Sequence, residues 1–303
     1  MRFCVSGASG FLGTALKSRL RADGHSVVTL VRRDPAAPDE SRWDPDAGDV
    51  DQAVIDDSDI VVSLSGAPIA HWPWTSSYRR ELVDSRVSTT TTLAEAIARA
   101  PRPPVMLSGS GINAYGDDRG DTLLVEGTPR GPGFLADVVE AWEASAAPAV
   151  AAGARVCYLR TAPVLDGSGG LLKVIALPFR LGVGGRLGSG QQYFPVISLR
   201  DWLGVVTFLA EDADASGPYN LVAPEPSTNA ELTHALAGAL HRPALVPVPS
   251  FAMRAALGGL SALALGSLRA APRRLEEEGY PFADRDIREV VATALSPSEE
   301  STG

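Results

Sequence analysis

Residues 2–22 read RFCVSGASGFLGTALKSRLRA, and this stretch decides the fold. A short apolar run is followed by a Gly-x-x-Gly-x-x-Gly turn, and the turn leads into a segment with helical spacing of its apolar residues. Glycine permits a tight turn and close backbone approach, and the following helix presents free N–H groups to a pyrophosphate. The stretch therefore predicts a dinucleotide site. We assign the cofactor contacts to Gly7, Ser9, Gly10, Phe11, Leu12 and Gly13.

The rest of the chain alternates short β-rich runs with helical patterns. The runs lie at residues 25–31, 59–64, 105–108 and 155–159, and the helical patterns lie at 76–100 and 134–152. This alternation predicts an α/β fold, a Rossmann-like doubly wound parallel sheet. The strands are continuously apolar, which is typical of strands covered on both faces.

The pattern changes after about residue 165, where Gly-rich loops separate shorter helical segments. We interpret residues 1–165 as a dinucleotide-binding Rossmann domain, with later segments interleaved in it. Residues 166–295 are predicted to form a smaller C-terminal α/β substrate lobe, and the polar residues 296–303 a disordered tail.

The composition restricts the class of protein. The net charge of −9 disfavours nucleic acid and anionic membranes as partners. No apolar stretch reads as a membrane span or a secretory leader, and the two cysteines sit in apolar runs, so we expect a cytoplasmic protein with buried, reduced thiols. The four histidines lack metal-ligand spacing, so we expect no metal site.

The end of the second β-rich run carries Arg32 and Arg33. NAD enzymes usually place an acidic residue here to hold the ribose 2′-hydroxyl, whereas a guanidinium suits the 2′-phosphate of NADP. The two arginines therefore predict NADP(H), although a solvated arginine pair is the competing interpretation.

Beyond the turn, further motifs run along nearly the whole chain. They are Trp43-Asp44-Pro45, Leu64-Ser65-Gly66-Ala67-Pro68-Ile69, Trp74-Thr75, Ser85-Arg86-Val87, Trp142-Glu143, Leu159-Arg160-Thr161, Gly184-Gly185, Gly188-Ser189-Gly190-Gln191 and Gly217-Pro218-Tyr219-Asn220. With Val5–Gly13, this set resembles an atypical short-chain dehydrogenase/reductase of the NAD(P)-dependent epimerase/dehydratase type. It resembles the bacterial epimerase-family subgroup with a C-terminal domain of unknown function.

The resemblance implies a Rossmann fold, NADP(H) binding and cofactor contacts from Ser65, Gly66 and Ala67. It brings no known substrate. The chain departs from the subgroup's pattern at Ala114, Ala162 and residues 196–198, which are expected to line the pocket.

The Tyr-x-x-x-Lys pair of typical members of the superfamily is absent. The chain has only two lysines, and no tyrosine has a lysine four residues further on. Counting back from Glu143, the positions of the pair hold Leu135 and Val139. The usual arrangement, in which the lysine lowers the tyrosine pKa and the tyrosine shuttles the proton, is therefore missing.

The segment after the run at residues 105–108 supplies the remaining candidates. In the superfamily this strand end carries the serine that hydrogen-bonds the substrate carbonyl, and we assign that role to Ser110. We assign the role of surrogate acid to Tyr115. Ordinary turn formation by the serine and simple packing by the tyrosine are the competing interpretations. Arg86 and Arg160 either face an anionic substrate or serve as structural ion-pair partners.

Two functions fit these observations. The first is an NADP(H)-dependent oxidoreductase or epimerase-like enzyme that acts on a small-molecule substrate. The second is a non-catalytic NADPH-binding redox sensor or partner-docking protein, which the missing catalytic pair favours. A homodimer is left open.

Overall fold

A computed structural model describes residues 1–296 of the 303-residue chain, apart from the side chain of Leu257. The strands are β1 (Arg2–Ser6), β2 (Ser26–Val31), β3 (Glu40–Asp44), β4 (Asp49–Val50), β5 (Ile60–Ser63), β6 (Val105–Gly111), β7 (Leu123–Leu124), β8 (Val156–Thr161), β9 (Val164–Asp166), β10 (Ile197–Ser198), β11 (Gly217–Leu221) and β12 (Arg269–Ala270). The helices are α1 (Phe11–Ala22), α2 (Gln52–Asp56), α3 (Ser76–Arg99), α4 (Phe134–Ala144), α5 (Ala147–Ala151), α6 (Gly170–Arg180), α7 (Leu199–Glu211), α8 (Asn229–Ala239), α9 (Ser250–Leu257), α10 (Ser261–Leu265), α11 (Arg273–Glu277) and α12 (Ile287–Leu295).

The central sheet has eight strands in the order β11-β8-β6-β5-β1-β2-β3-β4, and only β4 runs antiparallel to its neighbour. The prediction of a Rossmann-like, doubly wound, mostly parallel sheet is confirmed. The strand order reverses between β1 and β5. In open α/β sheets, ligands bind in the crevice at the carboxyl ends of the strands at this switch point.

Alternate residues of each strand feed two separate cores, because successive side chains of a strand point to opposite faces. Phe3 and Leu107 join one core, which includes Trp202 of α7 and Leu16 of α1. Cys4, Val61 and Met106 join the other core with residues of α3, such as Leu93. Both faces of the sheet are therefore covered, as the continuous apolar runs predict.

The segment after β8 is shared between the sheet and a smaller structural unit. A third apolar cluster contains Leu172 of α6, Leu232 of α8 and Val290 of α12. In contrast, α7 packs on the main sheet and β11 forms its edge beside β8. The polar segment 296–303 lies outside the described residues except for Ser296.

Several elements differ from the sequence prediction. The helical pattern at 134–152 is divided into α4 and α5, with Pro148 in the first turn of α5. Strands β3 and β11 have no strand-like apolar signature, since β3 buries only Trp43 and β11 begins Gly217-Pro218. The predicted buried thiols are observed, and burial raises the pKa of Cys4 to about 12. No helix within residues 1–296 combines the length and hydropathy that a membrane span requires.

Candidate functional site

The phosphate loop, residues 7–13, is shaped by two glycines that no other residue can replace. Gly7 has a positive φ of +73°, and a Cβ there would lie 2.7 Å from the carbonyl carbon of Leu64. A Cβ on Gly13 would lie only 2.2 Å from the Gly7 oxygen. These two glycines therefore let α1 pack directly on the loop and let the loop pack on the end of β5.

Gly10 has a different environment. It is exposed and precedes α1, and the nearest atom to a Cβ there would be the Gly7 oxygen at 3.3 Å. No side chain caps the helix, so the first N–H groups of α1 are left for another acceptor. Of the predicted cofactor residues, Gly10 and its neighbour Ser9 thus lie on the open side of the loop.

Phe11 links the loop to the C-terminal half of the chain. Its ring lies against Gly169 and Gly170 at the start of α6, where an added Cβ would come within 2.6 Å and 3.0 Å of ring atoms. The predicted contact residue Leu12 is half-buried beside it. The loop between β9 and α6 is therefore part of the wall around the phosphate loop.

The two arginines after β2 are not equivalent. Arg33 makes a bidentate ion pair with Glu40, with Nη–Oε distances of 2.8 Å and 2.6 Å. This contact, with a backbone N–H from Ala36, lowers the pKa of Glu40 to about 2. Arg32 is exposed and makes no side-chain hydrogen bond to residues 1–296, so its guanidinium is the one left for a ligand.

The turn after β5 lies next to the phosphate loop, because Leu64 contacts Gly7. Ser65 and Ala67 are buried, and the Ala67 N–H donates to Ser85 Oγ at 3.0 Å. Gly66 lies directly over the side chain of Arg86, whose Cγ would be 3.1 Å from a Cβ on Gly66. This turn therefore borders the crevice in which the dinucleotide is expected.

Helix α4 carries apolar side chains at the two positions that the resemblance assigns to Tyr and Lys. Leu135 and Val139 are both buried. Leu135 lines a cavity of about 430 Å³ together with Trp74, Phe134 and Asp117. Burial, helped by the charge of Asp137, raises the pKa of Asp117.

One polar residue continues the same face of α4. Glu143 lies four residues after Val139, and residues four apart on a helix are neighbours. Its Oε1 accepts a hydrogen bond from Ser110 Oγ at 2.6 Å. Arg160 binds the same carboxylate with Nε at 2.8 Å and Nη2 at 2.9 Å.

Tyr115 lies behind this group. Its hydroxyl donates to Asn220 Oδ1 at 2.8 Å and accepts from Arg160 Nη1 at 3.2 Å. The residue is 0% exposed, and burial raises the pKa of its hydroxyl. Burial by itself lowers the pKa of Arg160, but the hydrogen bonds and charge of Glu143 outweigh it and raise that pKa.

Sheet register aligns these groups. Ser110 on β6 pairs with Arg160 on β8, and Arg160 pairs with Asn220 on β11. With Glu143 and Tyr115 they form a continuous chain of hydrogen bonds, which we call the strand-end network. Glu126 supports it by accepting the Asn220 N–H at 3.1 Å.

The chain is similar to known proteins over nearly its whole length. Residues 3–135 match the NAD dependent epimerase/dehydratase family, and residues 248–294 match a domain of unknown function, DUF1731. An epimerase family protein of Mycobacterium bovis is 39% identical over 294 residues, which cover 96% of this chain and 97% of the relative. The chain belongs to the epimerase family.

Solved structures of the epimerase family agree with this membership. The crystal structure of human epimerase family protein SDR39U1 (isoform 2) with NADPH has a TM-score of 0.87 and 33% identity, and covers 97% of this chain and 99% of that one. A nucleoside-diphosphate sugar epimerase from Corynebacterium glutamicum has a TM-score of 0.82 and 34% identity, and covers 97% and 58%. A nicotinamide dinucleotide is thus the class of cofactor that family membership supports.

Sequence reasoning for this epimerase family protein missed Glu143 as a site residue. Trp142-Glu143 was named only as one of the motifs that carry the family resemblance; Trp142 packs α4 against α3, and its Nε1 donates to Thr90 Oγ1 at 3.0 Å. The signal for Glu143 was its position eight residues after Leu135, on the face that carries the missing pair. Within residues 1–296, no group of three or more His, Cys, Asp or Glu side chains is arranged to hold a metal ion.

Proposed function

We propose that this chain is an NADP(H)-dependent oxidoreductase or epimerase-like enzyme acting on a small substrate. The observation that carries the proposal is the 2.6 Å hydrogen bond from Ser110 Oγ to a Glu143 carboxylate held by Arg160. A hydroxyl bonded to a carboxylate at the carboxyl end of a Rossmann strand is a ready route for a proton. Glu143 lies one helical turn after Val139, the position that the resemblance assigns to the missing lysine, on the same face of α4.

The phosphate loop fits the cofactor. Gly10 leaves the outer side of the loop open, and the uncapped N-terminus of α1 would supply N–H donors to a pyrophosphate there. Arg32 would hold the 2′-phosphate, and residues 65–67 would border the rest of the molecule. When bound, the nicotinamide supplies or accepts a hydride. The human relative crystallised with NADPH supports the choice of NADP(H).

Ser110 and Glu143 move the proton in this proposal. In the oxidative direction, the substrate hydroxyl gives its proton to Ser110 Oγ while the Ser110 proton passes to Glu143 Oε1. In the reductive direction, Ser110 donates to the carbonyl oxygen and regains a proton from Glu143. Both directions balance, because the substrate carbon would lose one hydride to the nicotinamide on oxidation and gain one from it on reduction.

Arg160 and Tyr115 position the relay. The bidentate contact fixes both oxygens of Glu143, and Tyr115 and Asn220 fix the guanidinium in turn. The Tyr115 hydroxyl is enclosed and committed to two side chains. We therefore propose that Tyr115 acts through Arg160, and the dependence of activity on Tyr115 remains a prediction.

A carbonyl screen tests this function. Purified protein saturated with NADPH is offered a panel of aldehydes and ketones, and oxidation of NADPH is followed. We expect turnover that falls about 10²–10³-fold in Ser110→Ala. Lys173→Ala is the control and should retain full activity, since no lysine takes part.

Two outcomes contradict parts of the proposal. Tight NADPH binding without turnover of any substrate would favour the sensor or docking function. Turnover that survives in Ser110→Ala, but disappears in Lys173→Ala, would mean that the C-terminal half supplies the proton.

A further inference from the structure

Arg86 of α3 is a buried arginine near the strand ends, and within residues 1–296 it lacks a carboxylate partner like that of the half-buried Arg160. The residue is 6% exposed, and its Cζ lies 4.9 Å from the centroid of the Trp142 ring. Gly66 covers it from the turn after β5. Among residues 1–296 no carboxylate lies within ion-pair distance of this guanidinium, so its charge is uncompensated within that part of the chain.

One edge of the guanidinium has no hydrogen-bond acceptor. Nη1 donates to the Leu82 carbonyl oxygen at 3.0 Å, within the same helix. Nε is buried and has no acceptor within the described chain. Nη2 also makes no hydrogen bond to a described residue, and it is not fully enclosed. Within residues 1–296, neither of the adjacent donors Nε and Nη2 therefore has a hydrogen-bond acceptor.

This edge has the geometry of an anion receptor. The Nε–H and Nη2–H groups of arginine point in parallel and match the two oxygens of a carboxylate or phosphate. Burial lowers the pKa of Arg86 to about 10, so the group stays charged at neutral pH. We call this Nε/Nη2 edge the fork. A charged, desolvated fork without an acceptor lowers the stability of the free protein.

The surroundings place the fork beside the dinucleotide crevice. Gly66 follows the end of β5, next to the switch point of the sheet. A Cβ on Gly66 would lie 3.2 Å from Arg86 Cζ and 3.3 Å from Nη1, so only glycine leaves the guanidinium undisturbed. The Trp142 ring that supports the guanidinium also lies against Gly109 of β6, one residue before Ser110.

We propose that the Nε/Nη2 edge of Arg86 is an oxyanion site at the carboxyl ends of β5 and β6. It takes either the pyrophosphate of the cofactor or a carboxylate of the substrate. The existence of this anion site does not depend on the proposed function, but the identification of the anion as part of the cofactor or the substrate does. The charge is left uncompensated by the protein because the ligand brings the counter-charge.

The test replaces Arg86 by methionine, which keeps the length of the side chain and removes the charge. If the fork serves a ligand, Arg86→Met raises the thermal midpoint of the free protein by a few degrees, because an uncompensated buried charge is removed. The same variant weakens ligand binding by about 10- to 100-fold. A structural role predicts a lower midpoint instead.

The chain offers a matched control. Arg269 also has a buried Nε without an acceptor in the described chain, and it also stacks on an aromatic ring, that of Tyr193 at 5.4 Å. It lies on β12, outside the central sheet. Arg269→Met should leave all ligand affinities unchanged.

Three titrations identify the source of the anion. Weaker NADPH binding, with unchanged binding of adenosine 2′-monophosphate, assigns the fork to the pyrophosphate, because that probe carries neither of its two phosphates. Unchanged NADPH binding, with loss of malonate binding to the NADPH-saturated protein, assigns it to a substrate carboxylate. Both results support the site.

Other results overturn the site. One is that Arg86→Met binds NADPH and malonate with unchanged affinity. The other is that the variant binds every probe equally more weakly and also has a lower thermal midpoint. If the methionine variant does not fold, Arg86→Lys keeps the charge without the fork and should still lose about tenfold in affinity. If the wild-type protein binds no NADPH, the proposed function fails, and malonate binding to the free protein still tests Arg86.

Discussion

The phosphate loop and the strand-end network are built in opposite ways. The loop is seven consecutive residues. Its shape depends on the absence of side chains at Gly7 and Gly13, and Gly10 leaves its outer side open. The network is five side chains between residues 110 and 220, joined by hydrogen bonds and by strand register. One site is made by the backbone, and the other by side chains brought together through folding.

The difference explains what each site tolerates. A backbone site fails when any bulk is added, whereas a side-chain network fails when one polar group loses its partner. The loop is therefore tested best with larger residues, and the network with isosteric ones.

The largest effect is expected at Gly10. Gly10→Val should abolish detectable NADPH binding while the protein still folds, because the branched side chain fills the open side of the loop. Titration of NADPH and a thermal melt measure the two properties. Gly238→Val is the control, since no atom lies within 4 Å of a Cβ there. Retained binding in a folded Gly10→Val would show that the loop is not the phosphate site.

The next effect concerns Glu143. Glu143→Gln should reduce turnover about 10²–10³-fold, because the amide cannot take up the Ser110 proton. The free energy of unfolding should fall by about 3 kcal/mol, since Arg160 loses a largely buried counter-charge. Steady-state kinetics and denaturant melts give these values. Unchanged turnover with reduced stability would make Glu143 purely structural.

A smaller effect is expected at Tyr115. Tyr115→Phe removes the hydroxyl that joins Asn220 to Arg160, and should cost about 1 kcal/mol of stability and about tenfold in turnover. NADPH affinity should not change, because the group lies away from the phosphate loop. Full activity in both Tyr115→Phe and Ser110→Ala would remove the proposed catalytic site.

The smallest effect separates the two cofactors. The protein should bind NADPH about tenfold more tightly than NADH, as one charge-assisted contact allows. Arg32→Ala should remove most of this preference, whereas Arg33→Ala should remove less, because Arg33 is held by Glu40. Equal affinities of the wild-type protein for NADPH and NADH would contradict the assignment of the 2′-phosphate site. An undiminished preference for NADPH when Arg32→Ala and Arg33→Ala are combined would contradict it too.

Features encoded by neighbouring residues could be predicted from the sequence, whereas features that depend on residues far apart in the chain could not. The phosphate loop and the strands that feed the sheet were predictable, because glycine spacing and apolar runs are contiguous. Strand β11 was not, because its Gly-Pro start resembles a loop, although β8 pairs with it. The partners of Arg160 were not predictable either, since Glu143 and Asn220 meet it only after the strands are placed in register.

Because Ser110, Arg160 and Asn220 are aligned across three strands, the proposed proton route depends on the correct strand register. A one-residue slip of β8 would turn Arg160 to the other side of the sheet. Glu143 would then face Ser110 without a counter-ion, and the proton route would be lost. A molecule with this register error would therefore lack activity rather than act on other substrates. Insertions or deletions within β6, β8 or β11 should not occur in active members of this family.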